Sequence, residues 1–257
     1  MPRPIAARRH DEISRRIRNV GTVSVEELAG HFDVSRETIR RDLKALAKLG
    51  RLDVVHGGAA RRVAETPLGS RRGENPAGKA AIGRAAAALI EDGMVIVLDS
   101  GATTLAIAEA LGGKSDLTVA TNSLAVAVTL CRVPGTRVHM LGGEIDCTDE
   151  AAFGIEVLEA LGGFRFDMAF VGAGGISPAG EITDYNRAAA EQRGRMILAA
   201  ARSYIVADAT KFGRLTPIRI PQATVATGLI TDGPPPDPIA ETLRARGTQI
   251  IVASADM

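Results

Sequence analysis

From residue 79 onward, short apolar runs alternate with helical patterns, and that alternation leaves few folds open to the 257-residue chain. The runs are Met94–Asp99, Leu117–Thr121, Arg137–Leu141, Met168–Val171, Tyr204–Ala207, Val225–Thr231 and Gln249–Val252. Helical stretches lie between most of them: Lys79–Ile90, Thr103–Leu111, Leu124–Cys131, Ile155–Leu161, Ala188–Ala201 and Pro238–Arg246. Strands this short and apolar, interleaved with helices, predict a mostly parallel sheet covered on both faces. Residues 79–257 are thus predicted as one α/β domain, long enough to enclose its own core.

Residues 1–60 follow a different pattern. A first helix is predicted over about residues 4–19, with Ile13 and Ile17 facing inward. Ser24 followed by Glu27 is a capping box and marks the next helix start. Val25, Leu28, Ala29 and Phe32 then form one apolar stripe. Asp33 and Val34 make a short turn, Ser35 caps a further helix, and Ile39, Leu43 and Leu46 continue the buried face. Leu52, Val54 and Val55 have strand character, and Gly57-Gly58 is predicted to supply the positive φ angles of a hairpin turn. A helix-turn-helix followed by such a hairpin is a winged shape that enters the DNA major groove. Residues 61–78 (RRVAETPLGSRRGENPAG) mix charge, Pro and Gly without periodicity and are predicted as a linker.

Charge supports that division. Residues 1–72 hold 16 Lys/Arg against 9 Asp/Glu, a balance of +7, while the rest carries −6. A basic head on an acidic body fits a nucleic-acid module joined to a sensor or partner domain. The DNA-contact candidates are Arg36, Thr38, Arg40, Arg41 and Lys44 on the second helix, with His56, Gly57 and Arg61 on the wing. Arginine there can grip guanine through two hydrogen bonds or anchor phosphate. His56 reads equally as a plain surface histidine.

Two cysteines, Cys131 and Cys147, and four scattered histidines show no metal-ligand spacing, so no metal or cofactor is expected. The N-terminal MPRPIAARRHDEI has no apolar signal region behind its arginines. No apolar run approaches the roughly 20 residues of a membrane span, and a cytoplasmic location without membrane contact is expected.

Ligands of open parallel sheets sit beyond the carboxyl ends of the strands. There the chain places Asp99, Ser100, Gly101, Ala102, Thr103 and Thr104, a glycine turn opening a helix, whose free N–H groups form a natural phosphate seat. Ordinary N-capping by Ser or Thr is the bland alternative. Other strand ends carry Gly142, Gly143 and Glu144, Gly172 and Gly174, and the Asp208–Lys211 turn. Glycines that admit close backbone approach, plus one cation at Lys211, suggest a small anionic ligand.

Jointly these motifs resemble the DeoR family of bacterial transcription regulators across nearly the whole chain. The matching residues are TIRRDL (Thr38–Leu43), HGGA (His56–Ala59), DSGATT (Asp99–Thr104), TNS (Thr121–Ser123), LGGE (Leu141–Glu144), FVGAGGI (Phe170–Ile176) and ADATKFGR (Ala207–Arg214). The resemblance implies a repressor with a winged helix-turn-helix and a body sharing the fold of ribose-5-phosphate isomerase. It further implies a phosphorylated sugar or polyol as effector, held at Ser100–Thr104 with Gly142, Gly143 and Lys211, and with Asp184 as a further candidate. The chain departs from the family pattern at Val54, Ala102, Asp146 and Arg187-Ala188. The partners implied are double-stranded operator DNA, the effector, and further copies of the chain as a dimer or tetramer. A sugar-phosphate isomerase is the rival on the same fold, disfavoured because Gly172-Ala173-Gly174-Gly175 supplies no base for proton abstraction. A second rival is a DNA-binding protein whose body only oligomerises.

Overall fold

The computed structural model describes residues 6–48, 52–55, 57–60, 65–214 and 216–254. The chain forms two compact units, Met1–Ala64 and Glu65–Met257.

The first unit runs α1 (Ala6–Val20), β1 (Thr22–Ser24), α2 (Val25–Phe32), α3 (Arg36–Lys48), β2 (Asp53–Val55) and β3 (Gly58–Ala60). The Ser24–Glu27 capping box forms as predicted: Glu27 N–H donates to Ser24 Oγ at 3.0 Å and Ser24 N–H to the Glu27 carboxylate at 3.1 Å. Asp33 takes a left-handed φ of 51° to close α2. Ile13, Ile17, Leu28, Phe32, Ile39, Leu43, Leu46 and Leu52 pack into one core. The strands order β1-β3-β2, all antiparallel, so β1 adds a third strand to the hairpin. The turn chemistry differs from expectation. Of the two glycines, Gly57 has positive φ, at 77°, and Gly58 does not. Gly58 lies in β3 opposite Ser24, where a Cβ would stand 2.1 Å from the Val23 carbonyl oxygen. Gly58 is therefore required by close backbone approach rather than by turn conformation.

The second unit begins with α4 (Leu68–Gly73), α5 (Pro76–Leu89), β4 (Val95–Leu98), α6 (Ala102–Ala110), β5 (Thr118–Thr121), α7 (Leu124–Leu130) and β6 (Arg137–Met140). It continues with β7 (Glu144–Asp146), β8 (Ala151–Phe153), α8 (Ile155–Leu161), β9 (Phe166–Val171), β10 (Gly175–Ile176), β11 (Ile182–Asp184) and α9 (Arg187–Leu198). The last elements are β12 (Ala200–Val206), β13 (Ile218–Arg219), β14 (Gly228–Thr231), α10 (Asp237–Ala245) and β15 (Gln249–Val252). Two of these helices, α4 and the start of α5, fall where residues 61–78 were expected to be a structureless linker.

All seven predicted strands join one sheet in the order β15-β14-β12-β9-β4-β5-β6. Every pairing in it is parallel. Successive side chains alternate between its two cores. Val97, Ala169 and Ile205 enter one, and Ile96, Leu98, Met168 and Phe170 enter the other. A sheet buried on both faces explains why its strands read as unbroken apolar runs. Ala188–Ala201 was expected to be wholly helical, but α9 stops at Leu198 and β12 begins at Ala200, paired with Phe166. Alanine favours helix intrinsically, and pairing with β9 overrides that preference.

Candidate functional site

In the first unit, α3 and the wing share a surface groove. Arg36, Arg40 and Lys44, spaced four apart on one helix face, line it with Val54, Gly57 and Gly58. Arg36 pairs with Glu26, and Arg40 lies 3.6 Å from Glu37, both at exposed positions. Such pairs are weak and exchange readily for other anions. Arg41 projects outside this groove and is 79% exposed. Thr38 sits in the first turn, its N–H accepted by Ser35 Oγ at 3.1 Å and its hydroxyl 2.9 Å from the same atom. His56 and Arg61 lie outside the described residues. Asp42 was not singled out from sequence. It is buried and accepts from Arg9 Nε at 2.5 Å, with His10 Nε2 at 2.9 Å, joining α1 to α3.

In the second unit, the chain leaves β4 toward β5 and β6 on one side, while β9 leads to β12, β14 and β15 on the other. Beyond the carboxyl ends of these adjacent strands lies a small cavity, at the crevice where the strand order diverges. It is lined by Ser100, Gly101, Ala102, Thr103, Thr104, Gly172, Ala173, Arg193, Val206 and Lys211, together with Glu65, Arg71, Glu74 and Lys79. Its volume is about 30 Å³.

The floor is the N-terminus of α6. Gly101 precedes that helix with φ 142° and makes no side-chain cap. The bland N-capping alternative fails here, because Thr104 Oγ1 donates to the Gly101 carbonyl at 3.0 Å instead of accepting from the helix N–H groups. Uncapped N–H groups carry the positive end of the helix dipole. Asp99 does not line the cavity but positions what does. Its Oδ2 accepts from Gly172 N–H at 3.0 Å and from Arg193 Nε at 2.5 Å. Asp184 also lies behind the wall, where it forms an ion pair with Arg193 and accepts from the N–H groups of Tyr185 and Asn186. Burial works against the Arg193 charge, but Asp99 and the nearby carboxylates outweigh it and hold its pKa above the ordinary value.

Lys211 and Lys79 differ in partnership. Lys79 Nζ sits 3.2 Å from Asp208. Burial pushes the Asp208 carboxyl up, yet Thr210 hydrogen bonds and Lys79 bring it below its usual range. No carboxylate lies within 4 Å of Lys211 among the described residues, and burial pushes its ammonium pKa down despite the charges of Glu65 and Asp208.

Several predicted residues are not brought into this cavity. Gly142, Gly143 and Glu144 leave β6 for the β7–β8 hairpin and are absent from the lining. Gly174 packs against Tyr185 and Asp184. Asp146 bears on that hairpin's turn rather than on a ligand, accepting from Thr148 N–H at 2.7 Å and Asp149 N–H at 3.0 Å. Conversely, Arg193, Lys79, Arg71, Glu65 and Glu74 were missed. Two carried a signal. Arg193 shares the α9 stripe of Ala189, Ala190, Met196 and Ile197, and Lys79 shares that of Ile82 and Ala86 on α5. A charge on a buried stripe demands a partner.

A winged helix joined to an α/β unit with a cation-lined cavity is the build of a DNA-binding regulator that senses a ligand. The chain belongs to the DeoR family: residues 9–63 match the DeoR-like helix-turn-helix domain and residues 74–233 the DeoR C-terminal sensor domain. It is a DeoR-type DNA-binding transcriptional repressor rather than an enzyme. It is 32% identical to the glycerol-3-phosphate regulon repressor of Escherichia coli K12 over 244 residues, covering 94% of this chain and 97% of that protein. It is 31% identical to a putative aga operon transcriptional repressor of E. coli O157:H7, covering 95% and 93% of the two chains. A D-ribose-5-phosphate isomerase solved with phospho-erythronic acid superposes with a TM-score of 0.38 over 52% of each chain at 21% identity, too loosely to bear on the site. Among the described residues, no helix is long and apolar enough to cross a membrane.

Proposed function

We propose that the sensor unit takes a small phosphorylated sugar or polyol, and that its occupancy releases the winged unit from operator DNA. The phosphate would seat at the N-terminus of α6, beside Lys211, with Thr103 and the Gly172 loop around it. The observation that carries this reading is the pairing of an uncapped helix N-terminus with a buried ammonium that no carboxylate reaches. An anion placed there meets oriented N–H groups and relieves the cost of burying the Lys211 charge. Phe170 and Val171 lead directly into the glycine loop, so the seat rests on rigid sheet.

Relatives named for a glycerol-3-phosphate regulon make glycerol 3-phosphate the first compound to try. The test is a thermal-shift panel pairing glycerol, pentose and hexose phosphates with their unphosphorylated counterparts. A ligand at a hundred times its Kd should add about 2.7 kcal/mol and raise Tm by several degrees. Stabilisation by an unphosphorylated member alone would reject the phosphate seat.

Operator DNA is assigned to the groove formed by Arg36, Arg40, Lys44 and the wing, with Thr38 at the helix start. Paired heads on a dimer or tetramer would read spaced half-sites. Arg40→Ala is expected to weaken binding to a selected operator duplex by about 1–3 kcal/mol. Arg41→Ala, altering a side chain outside the groove, is expected to cost less than about 1 kcal/mol, the range of a surface phosphate contact. Fluorescence anisotropy checks both, and reversed magnitudes would place α3 in the wrong rotation about its axis.

A further inference from the structure

The cavity's outer wall is not built from the sheet. Glu65, Arg71 and Glu74 come from one short segment, residues 65–74, that opens the sensor unit. The segment is held to the rest of the unit by side-chain and backbone contacts, among them the Arg72–Glu109 ion pair and the Lys79 bond to the Glu74 carbonyl. Leu68 is buried and its N–H donates to the Thr148 carbonyl at 2.9 Å. Arg71, 7% exposed, reaches Glu65 at 2.8 Å and pairs with Asp149. Its remaining nitrogen, Nε, is buried without a hydrogen-bond partner among the described residues. Burial, with the added charge of Glu65, pushes the Asp149 carboxyl above its ordinary range despite Arg71.

Glu65 lines the cavity with its carboxylate on Arg71, and its charge acts on Arg193 and Lys211 as well. A cavity of about 30 Å³ has room for about two water molecules. The cavity opens to solvent, and the part of its lining that lies outside the sheet and its strand-end loops includes Glu65, Arg71 and Glu74. The strand-end loops are fixed by the sheet and by the Asp99–Arg193–Asp184 cluster.

We propose that Glu65, paired with Arg71 on the wall of the cavity that Arg193 and Lys211 also line, is an internal competitor for the anion seat, and that residues 65–74 yield when a ligand's phosphate replaces it. The inference rests on the phosphate-binding function proposed above and adds a specificity determinant to it. A dianionic phosphate replaces one carboxylate charge with a larger one and meets the unpartnered Arg71 Nε. An uncharged sugar offers the cations nothing in exchange, so it leaves the segment closed. Glu65 follows directly on Ala64, the last residue of the DNA-binding unit, so its displacement moves the point where the chain enters the sensor.

Calorimetric titration of the full-length wild type, Glu65→Gln and Glu65→Asp with glycerol 3-phosphate, inorganic phosphate and glycerol tests this. Removing the competing charge is expected to tighten binding of both phosphates at least tenfold in Glu65→Gln. The shorter, still charged Glu65→Asp should fall between, and it carries the comparison alone if Glu65→Gln does not fold. Equal or weaker phosphate binding in the variants overturns the competitor role while leaving the anion seat standing. No binding of either phosphate by any of the three proteins removes the seat itself, and this inference with it.

Discussion

Arg193→Ala is expected to destabilise the sensor unit by about 3–5 kcal/mol, because it strips the shared partner from two buried carboxylates. Arg193 is 4% exposed, and Asp99 and Asp184 are 1% and 0% exposed, so water does not take its place. Asp99 also holds the Gly172 N–H, so the loss should reach the cavity as well. The chain has no tryptophan, and its two tyrosines, Tyr185 and Tyr204, both lie in the second unit. Tyrosine fluorescence during urea unfolding therefore reports this unit alone. Arg193→Lys keeps the charge but lacks the planar fork that bridges two carboxylates, and it should recover less than half of the loss. A loss under about 1 kcal/mol in Arg193→Ala would mean that the cluster reorganises around other donors.

Asp42→Asn is expected to cost the winged unit about 3 kcal/mol by removing the carboxylate that ties α1 to α3. Burial pushes the Asp42 carboxyl up, but Arg9 and His10 outweigh it and hold the group below its ordinary range. A depressed carboxyl adds stability above its unfolded-state value of about 3.9, and that stability disappears as pH falls through the folded-state value. The wild-type advantage should thus be full at neutral pH and shrink below about pH 4. Far-UV circular dichroism melts across pH check this, with tyrosine fluorescence following the other unit. An advantage that persists undiminished at pH 2.5 would show that shape, not charge, is at stake.

The sheet was legible because a fully buried parallel strand has to be an apolar run, and each run is bounded by turn residues or a helix. The small antiparallel pieces β7, β8, β10, β11 and β13 were not. Strands of two or three residues such as Gly175–Ile176 are too short to show a period, and their pairing is set by distant partners such as Thr183 and Arg219. The Ser100–Thr104 floor and Lys211 were visible because each adjoins a strand end. The 65–74 wall was hidden for the opposite reason. Its charge and proline look like linker composition, and the burial of Arg71 depends on Asp149, which lies 78 residues away. Gly142 and Gly143 do not line this cavity, since a glycine pair at a strand end serves a hairpin as readily as a pocket.

A wall that must give way has a consequence in time. On the proposal that residues 65–74 yield to a ligand, the seat cannot be occupied faster than that wall opens. In rapid mixing, the observed association rate should rise with ligand concentration only at first, then level off at the frequency with which residues 65–74 swing clear. The repressor's response to a sudden pulse of effector would then be paced by the protein's own breathing, however abundant the ligand.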